Sequence, residues 1–273
     1  MKEEIMGISS YLRRVIGNPV YCSVHTMAPN TALSTKVVAI TGGGSGIGKA
    51  VAKNVIACGG KVIILGRRED KLKATVDELG NKQCGYYVYD VTNADGSVDL
   101  FEHLEEIHSI PVNTLVNNAG IYISKNPLEF TENDFNITLN TNLRAPIFLT
   151  IAFVKYCKSK HMEGNIVMTS SNRGLFGDYG PYGVSKKGLI HYVEGMAREL
   201  VGTGIRINSV APGMTASEIN HISEQGDMYT GSAKGKRILL PIEIANVICF
   251  LLSDYSKCIT GATIPCDEGD SLR

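Results

Sequence analysis

A chain of 273 residues, 44% of them hydrophobic, is long enough to bury one large α/β core. Its 27 Lys plus Arg balance 27 Asp plus Glu, so no general field draws it to nucleic acid or to an anionic membrane. Seven cysteines, an odd number with no C-x-x-C pair and no zinc-like Cys/His spacing, argue against a disulfide scaffold or a metal site and for free thiols in a reducing, cytoplasmic setting.

Residues 1–35 read as an N-terminal extension. Ile5, Ile8, Leu12, Val15 and Ile16 fall at helical spacing, but Ser9, Ser10, Arg13 and Arg14 interrupt them. That pattern suits a short amphipathic helix, not the apolar centre of a signal peptide. Gly17 to Ser34 follows as an arm, read either as a partly disordered extension or as a clasp on a neighbouring subunit. No stretch reads as the ~18 apolar residues that a membrane span needs.

From Thr35 onward, apolar runs at 37–41, 62–65, 86–89, 114–117, 165–169, 205–210 and 262–266 predict buried strands. The stretches between them predict helices over 46–58, 69–79, 96–107, 131–159, 181–202 and 241–253. Strands alternating with helices make βαβ units, and short all-apolar strands suit a sheet covered on both faces. The fold expected over 36–273 is therefore a single α/β domain, a doubly wound parallel sheet (Rossmann fold) of about seven strands.

The first strand runs into Thr41-Gly42-Gly43-Gly44-Ser45-Gly46-Ile47-Gly48 and then a helix. Glycines let the backbone turn sharply and approach a pyrophosphate, and the helix start offers unpaired N–H groups. The second strand ends at Leu65-Gly66-Arg67-Arg68. NAD enzymes place an acid there for the ribose 2′-hydroxyl; Gly66 lacks one and two arginines follow. A guanidinium suits a 2′-phosphate, so NADP(H) is favoured over NAD(H), with Arg67 and also Ser45 and Arg68 as phosphate contacts.

Tyr182-Gly183-Val184-Ser185-Lys186 sets a phenol and an ammonium four residues apart on one helix face. A tyrosine titrates near ~10, and a nearby ammonium would lower that value toward usefulness as a proton donor and acceptor. Lys186 is also placed to hold a nicotinamide ribose. The same spacing recurs at Tyr156 to Lys160, at a helix end in a basic run; that copy reads as packing plus a solvated lysine. A hydroxyl at the strand end Thr169-Ser170-Ser171 could hold a substrate oxygen as charge develops.

The T-G-x-x-x-G-I-G turn, Asn117-Asn118-Ala119-Gly120 after the fourth strand and Tyr182-x-x-x-Lys186 together resemble the classical short-chain dehydrogenase/reductase family over residues 36–269. The resemblance implies hydride transfer between a nicotinamide dinucleotide and a carbonyl or secondary alcohol. It implies a cofactor cradle of Gly42, Ser45, Gly46, Ile47 and Gly48, an adenine pocket at Asp90 and Val91, and close passage of the cofactor at Asn118, Ala119 and Gly120. It makes Ser171, Tyr182, Lys186 and the helix residue Asn142 catalytic, the last by holding a water in a kinked helix. The gap from Ser171 to Tyr182 is shorter than the family's, so Ser170 stays open, as does Asn140 beside Asn142. Pro212 and Gly213 would line the nicotinamide, with Thr215 or Ser217 at its carboxamide. Ile259-Thr260-Gly261 fits the family's approach to its last strand, whereas Asp267-Glu268-Gly269 departs from D-G-G.

The substrate is expected to be a small carbonyl or alcohol. Polar residues in the segment 214–240 (Glu218, Asn220, His221, Gln225) and Asn172-Arg173 suggest a sugar, polyol or oxoacid. A β-oxoacyl carrier-protein reductase, a sugar epimerase or dehydratase, and a non-catalytic dinucleotide sensor are the alternatives. Helices 131–159 and 181–202 form the family's usual interface, so a homo-oligomer, dimer or tetramer, is expected.

Overall fold

The computed structural model describes residues 31–80, 82–93, 99–220, 222–224 and 228–272. The expected N-terminal helix and most of its arm lie outside these residues, as do His221 and Gln225. The arm's last residues are part of the body: Leu33 is fully buried, and its N–H donates to the Cys58 carbonyl at 3.0 Å.

Seven strands form one sheet in the order β3-β2-β1-β4-β5-β6-β7. They are β1 (Val37–Thr41), β2 (Lys61–Gly66), β3 (Cys84–Val88), β4 (Thr114–Asn117), β5 (Gly164–Thr169), β6 (Ile205–Pro212) and β7 (Thr263–Cys266). Every neighbouring pair is parallel. The helices are α1 (Gly46–Ala57), α2 (Glu69–Leu79), α3 (Leu100–His108), α4 (Glu132–Leu139), α5 (Ala145–Ser159), α6 (Pro181–Leu200) and α7 (Pro241–Leu252). The expected doubly wound sheet is therefore present.

Side chains alternate across the sheet, so each strand feeds two cores. Val38, Ile40, Val116 and Val167 pack with Val51 of α1 and Ile244 and Ile248 of α7. Ala39, Leu115, Ile166 and Ile207 pack on the other side with Leu104 of α3, Phe153 of α5 and Leu189 of α6. Each such Val, Leu, Ile or Phe side chain taken wholly from water contributes roughly 1.5–3 kcal/mol. This double burial is why the strands read as unbroken apolar runs.

Three expectations shift. β3 starts at Cys84 instead of 86 and ends before Asp90, and β6 runs through Pro212, where a turn was expected after 210. The run Glu132–Ser159 is long and apolar enough by composition to cross a membrane, which the sequence reading did not find; half of its most apolar window is buried inside the domain, as for a core helix. That run is one long helix with a π turn at Asn140–Arg144 joining α4 to α5. Its cause is local. Pro146 has no N–H for the carbonyl of Asn142, and the Ala145 N–H reaches back to Asn140 instead.

Candidate active site

Strand order reverses between β1 and β4, and a crevice opens beyond the carboxyl ends of the strands there, the usual place for a ligand in this architecture. Seventeen of the eighteen residues expected to bind a cofactor line it: Gly42, Ser45, Gly46, Ile47, Arg67, Arg68, Asp90, Val91, Asn118, Ala119, Gly120, Tyr182, Lys186, Pro212, Gly213, Thr215 and Ser217. The eighteenth, Gly48, lies just beneath; a Cβ there would sit 2.3 Å from the Gly42 carbonyl oxygen. Gly42 has φ +67° and lies against the Ala119 backbone, so the turn tolerates a side chain at neither position.

Thr41 clamps this turn to the end of β4. Its hydroxyl accepts from the N–H groups of Asn118 and Ala119 at 2.9 and 3.0 Å, and the Asn118 amide donates to the Thr41 carbonyl at 3.1 Å. Above the turn, α1 begins at Gly46 with Ser45 as its cap residue, but the Ser45 side chain makes no capping bond and no acid occupies the first turn. A glycine cradle without room for a Cβ and a helix start without a side-chain cap fit a pyrophosphate.

At the next strand end, Arg67 and Arg68 are exposed beside the crevice. Lys71, one helical turn further on, also lines it, although in sequence it belongs to a mixed-charge run that reads as solvated. Glu218, from the segment after β6, reaches across: its carboxylate accepts from Arg68 Nη2 at 2.6 Å and Lys71 Nζ at 3.0 Å. Asp90 forms a local turn, accepting from the Thr92 N–H and hydroxyl at 2.9 and 2.8 Å.

At the other end of the crevice, the two candidate serines differ. Ser170 Oγ donates to the Val210 carbonyl at 2.7 Å and accepts from Ser209 Oγ at 2.9 Å, so it is spent on joining β5 to β6. Ser171 Oγ accepts from the Arg173 N–H at 3.2 Å and is hydrogen-bonded to the Tyr182 phenol. Lys186, on the same face of α6, is almost wholly buried. Its ammonium donates to the Thr169 carbonyl at 2.9 Å and lies 5.5 Å from the centre of the Tyr182 ring. Burial lowers this ammonium to about 8.

The phenol departs from expectation. Burial pushes Tyr182 above its usual range. The Ser171 hydrogen bond and the positive charge of Arg173 pull it back down. Arg173 is held by Asp178, whose carboxylate is 2.9 Å from Nη1 and also accepts from the Gly180 N–H at 2.9 Å. The guanidinium lies 5.6 Å from the Tyr122 ring, which meets Tyr182 edge-on at 5.1 Å. In the sequence Arg173 stands out only as a polar neighbour of the serine pair, and no local motif marks Tyr122 or Asp178.

Asn142 sits in the π turn, fully buried, and exchanges two 2.8 Å hydrogen bonds with the backbone of Ile121. A Cβ on Gly120 would lie 3.3 Å from its Oδ1 and 3.6 Å from Lys186 Nζ, so both side chains approach Gly120 closely. Asn140 begins the π turn, and buried status falls to Asn142 alone within it. Thr215 Oγ1 donates to the Gly213 carbonyl at 3.0 Å, and Ser217 lies over the glycine turn, 3.4 Å from where a Gly46 Cβ would be. Among the described residues, no cluster of His, Cys, Asp and Glu could hold a metal.

A glycine cradle, the Tyr182 phenol and the buried Lys186 thus face one crevice in a parallel sheet. The family model for short-chain dehydrogenases matches residues 36–227. The chain belongs to the short-chain dehydrogenase/reductase family. It is 34% identical over 247 residues to the 3-oxoacyl-[acyl-carrier-protein] reductase of Thermotoga maritima, covering 87% of this chain and 98% of that protein. It is 32% identical over 246 residues to an NADP-dependent (R)-specific alcohol dehydrogenase of Lentilactobacillus kefiri, covering 87% and 97%. A crystal structure of a short-chain dehydrogenase from Bacillus anthracis superposes with a TM-score of 0.80 at 29% identity, covering 89% of this chain and 98% of that one. The protein is an oxidoreductase of this family.

Proposed function

We propose that this short-chain dehydrogenase/reductase is an NADPH-dependent reductase of small carbonyls, with Tyr182 as proton donor. The carrying observation is that Tyr182, Ser171 and Lys186 face the same crevice as the glycine cradle. When bound, the dinucleotide supplies the hydride. The Tyr182 phenol gives its proton to the carbonyl oxygen, and the Ser171 hydroxyl donates to that oxygen as negative charge grows. A phenol kept protonated by burial suits this direction. Lys186, Asn142, Pro212, Gly213, Thr215 and Ser217 orient the reacting end, while Gly42, Ser45, Gly46, Ile47, Asn118, Ala119 and Gly120 hold the pyrophosphate side.

Arg67, Arg68 and Lys71 in place of an acid support NADP(H) over NAD(H), and the named cofactor of the Lentilactobacillus kefiri relative agrees. For the substrate, the relatives support a 3-oxoacyl thioester ahead of the sugar or polyol that the polar segment suggested. Exposed Phe135, Ile137, Phe148 and Val184 on α4, α5 and α6 support a homo-oligomer through these helices. Six described free cysteines fit a cytoplasmic setting.

A carbonyl panel followed by NADPH absorbance tests the reading. Oxidation of NADPH by a 3-oxoacyl thioester, faster than by ketoses and abolished in Tyr182→Phe, is the expected outcome. Turnover of ketoses alone would return the substrate to the polar class, and an active Tyr182→Phe would reject the mechanism.

A further inference from the structure

Glu218 belongs to a short 3-10 turn, Glu218–Asn220, in the segment after β6, yet its carboxylate bridges two cations at the start of α2. Its contacts are 2.6 Å to Arg68 and 3.0 Å to Lys71, across 150 and 147 residues of sequence. The bridge crosses the same crevice that the glycine cradle lines. Ser217, its neighbour, stands over Gly46. The bridge therefore ties the two walls of the cofactor site together on the adenosine side.

We infer that Glu218 is a built-in competitor for the cofactor's 2′-phosphate, and so sets how strongly the site prefers NADP(H) to NAD(H). The inference rests on the reading that Arg68 and Lys71 are phosphate contacts. A carboxylate and a phosphate want the same charge-assisted donors. The carboxylate of Glu218 is held below its usual range by Arg68 and then Lys71, so it is ionised at neutral pH. A 2′-phosphate arriving at these cations must displace it and meets its negative charge at close range. An NAD(H) ribose carries no such group and leaves the bridge intact. Displacement removes the tie between this segment and α2. Arg67 makes no ion pair among the described residues and remains the cation open to first contact.

The test is the dissociation constant of NADPH and of NADH for the full chain, read by nicotinamide fluorescence, in wild type and in Glu218→Gln. Glu218 is half exposed and outside either core, so the fold should hold; a melting temperature checks it. Removing two surface ion pairs' worth of competition should tighten NADPH binding by about three- to tenfold, with NADH changed by less than about twofold. An unchanged or weaker NADPH constant in Glu218→Gln, or an equal shift for both cofactors, overturns the inference. A wild type that binds NADH more tightly than NADPH rejects the NADP(H) reading instead. In that case a gain confined to NADPH in the variant still upholds competition, and its absence overturns it.

Discussion

The chain carries the pattern Y-x-x-x-K twice, and the two copies differ in almost everything except the geometry that the spacing dictates. Lys160 Nζ lies 5.8 Å from the Tyr156 ring centre, and Lys186 Nζ lies 5.5 Å from that of Tyr182. Around Tyr156 the partner is a carboxylate: its hydroxyl donates to Glu105 at 2.7 Å, and Lys160 pairs with the same Glu105 at 2.9 Å. Burial and the Glu105 charge both push that phenol up, out of any useful range. Around Tyr182 the partners are a hydroxyl and a guanidinium, both of which pull the phenol down. Lys160 is half exposed, while Lys186 is buried against Thr169. Helical periodicity places an amine over a ring; the neighbours contributed by other strands and loops decide whether that pair can move protons.

Exchanging each phenol for a ring without the hydroxyl should break the comparison most sharply. Tyr182→Phe is expected to lower kcat by about 10²–10⁴-fold, the range for loss of a positioned proton donor. Tyr156→Phe should leave kcat within about twofold and instead lower stability by about 0.5–1.5 kcal/mol, through loss of its bond to Glu105. Steady-state kinetics and denaturant titration on both variants give the answer; equal kinetic losses would erase the distinction.

The lysines should diverge in stability. Lys186 has its folded-state value lowered to about 8, below that of the unfolded chain. Burial of its charge therefore costs stability at neutral pH, and that cost fades as pH rises from about 8 toward the unfolded value. Lys186→Met is expected to gain about 1–3 kcal/mol at pH 7 while losing activity, the gain narrowing above pH 8. Urea unfolding at pH 7 and pH 9.5 measures it. A variant less stable than wild type at both values would contradict the assigned cost.

What the sequence could show of this contrast follows from distance along the chain. The glycine turn and both tyrosine pairs are local patterns, and each sits on the element expected of it. The π turn was partly legible, because Pro146 falls four residues after Asn142 and removes the donor for its carbonyl. β3 was misplaced because Cys84-Gly85 lacks strand character. Gly85 is needed there since a Cβ would lie 2.4 Å from the His108 ring, a contact no local pattern reveals. Arg173 with Asp178, and Glu218 with Arg68 and Lys71, are pairings that only the folded chain brings about. Glu268 is an intermediate case. Its place in the D-E-G departure was visible, but not that it adopts φ +51° and pairs with Arg237 at 2.6 Å.

A subtler test sharpens the role of the surroundings. In the oxidative direction Tyr182 must be a phenolate, so the rate rises with pH through its apparent pKa. Arg173→Gln removes the positive charge that favours the phenolate, and the rising limb should move to higher pH. Arg173→Lys keeps the charge and should restore most of the shift. An unmoved profile in Arg173→Gln would confine Arg173 to holding the loop through Asp178.

The smallest effect belongs to Lys160. Its ammonium is half in water and its partner Glu105 is shared with the Tyr156 hydroxyl, which remains after the lysine is gone. Lys160→Met should therefore cost only about 0–1 kcal/mol and leave kcat and its pH profile alone. The value of so modest a change lies in its contrast with Lys186→Met, where the same substitution at the same helical offset should reverse the sign of the stability effect. Both substitutions remove one charge from one face of a helix. If the two variants moved stability in the same direction and by similar amounts, burial of the second ammonium would not be what separates a reacting pair from a packed one.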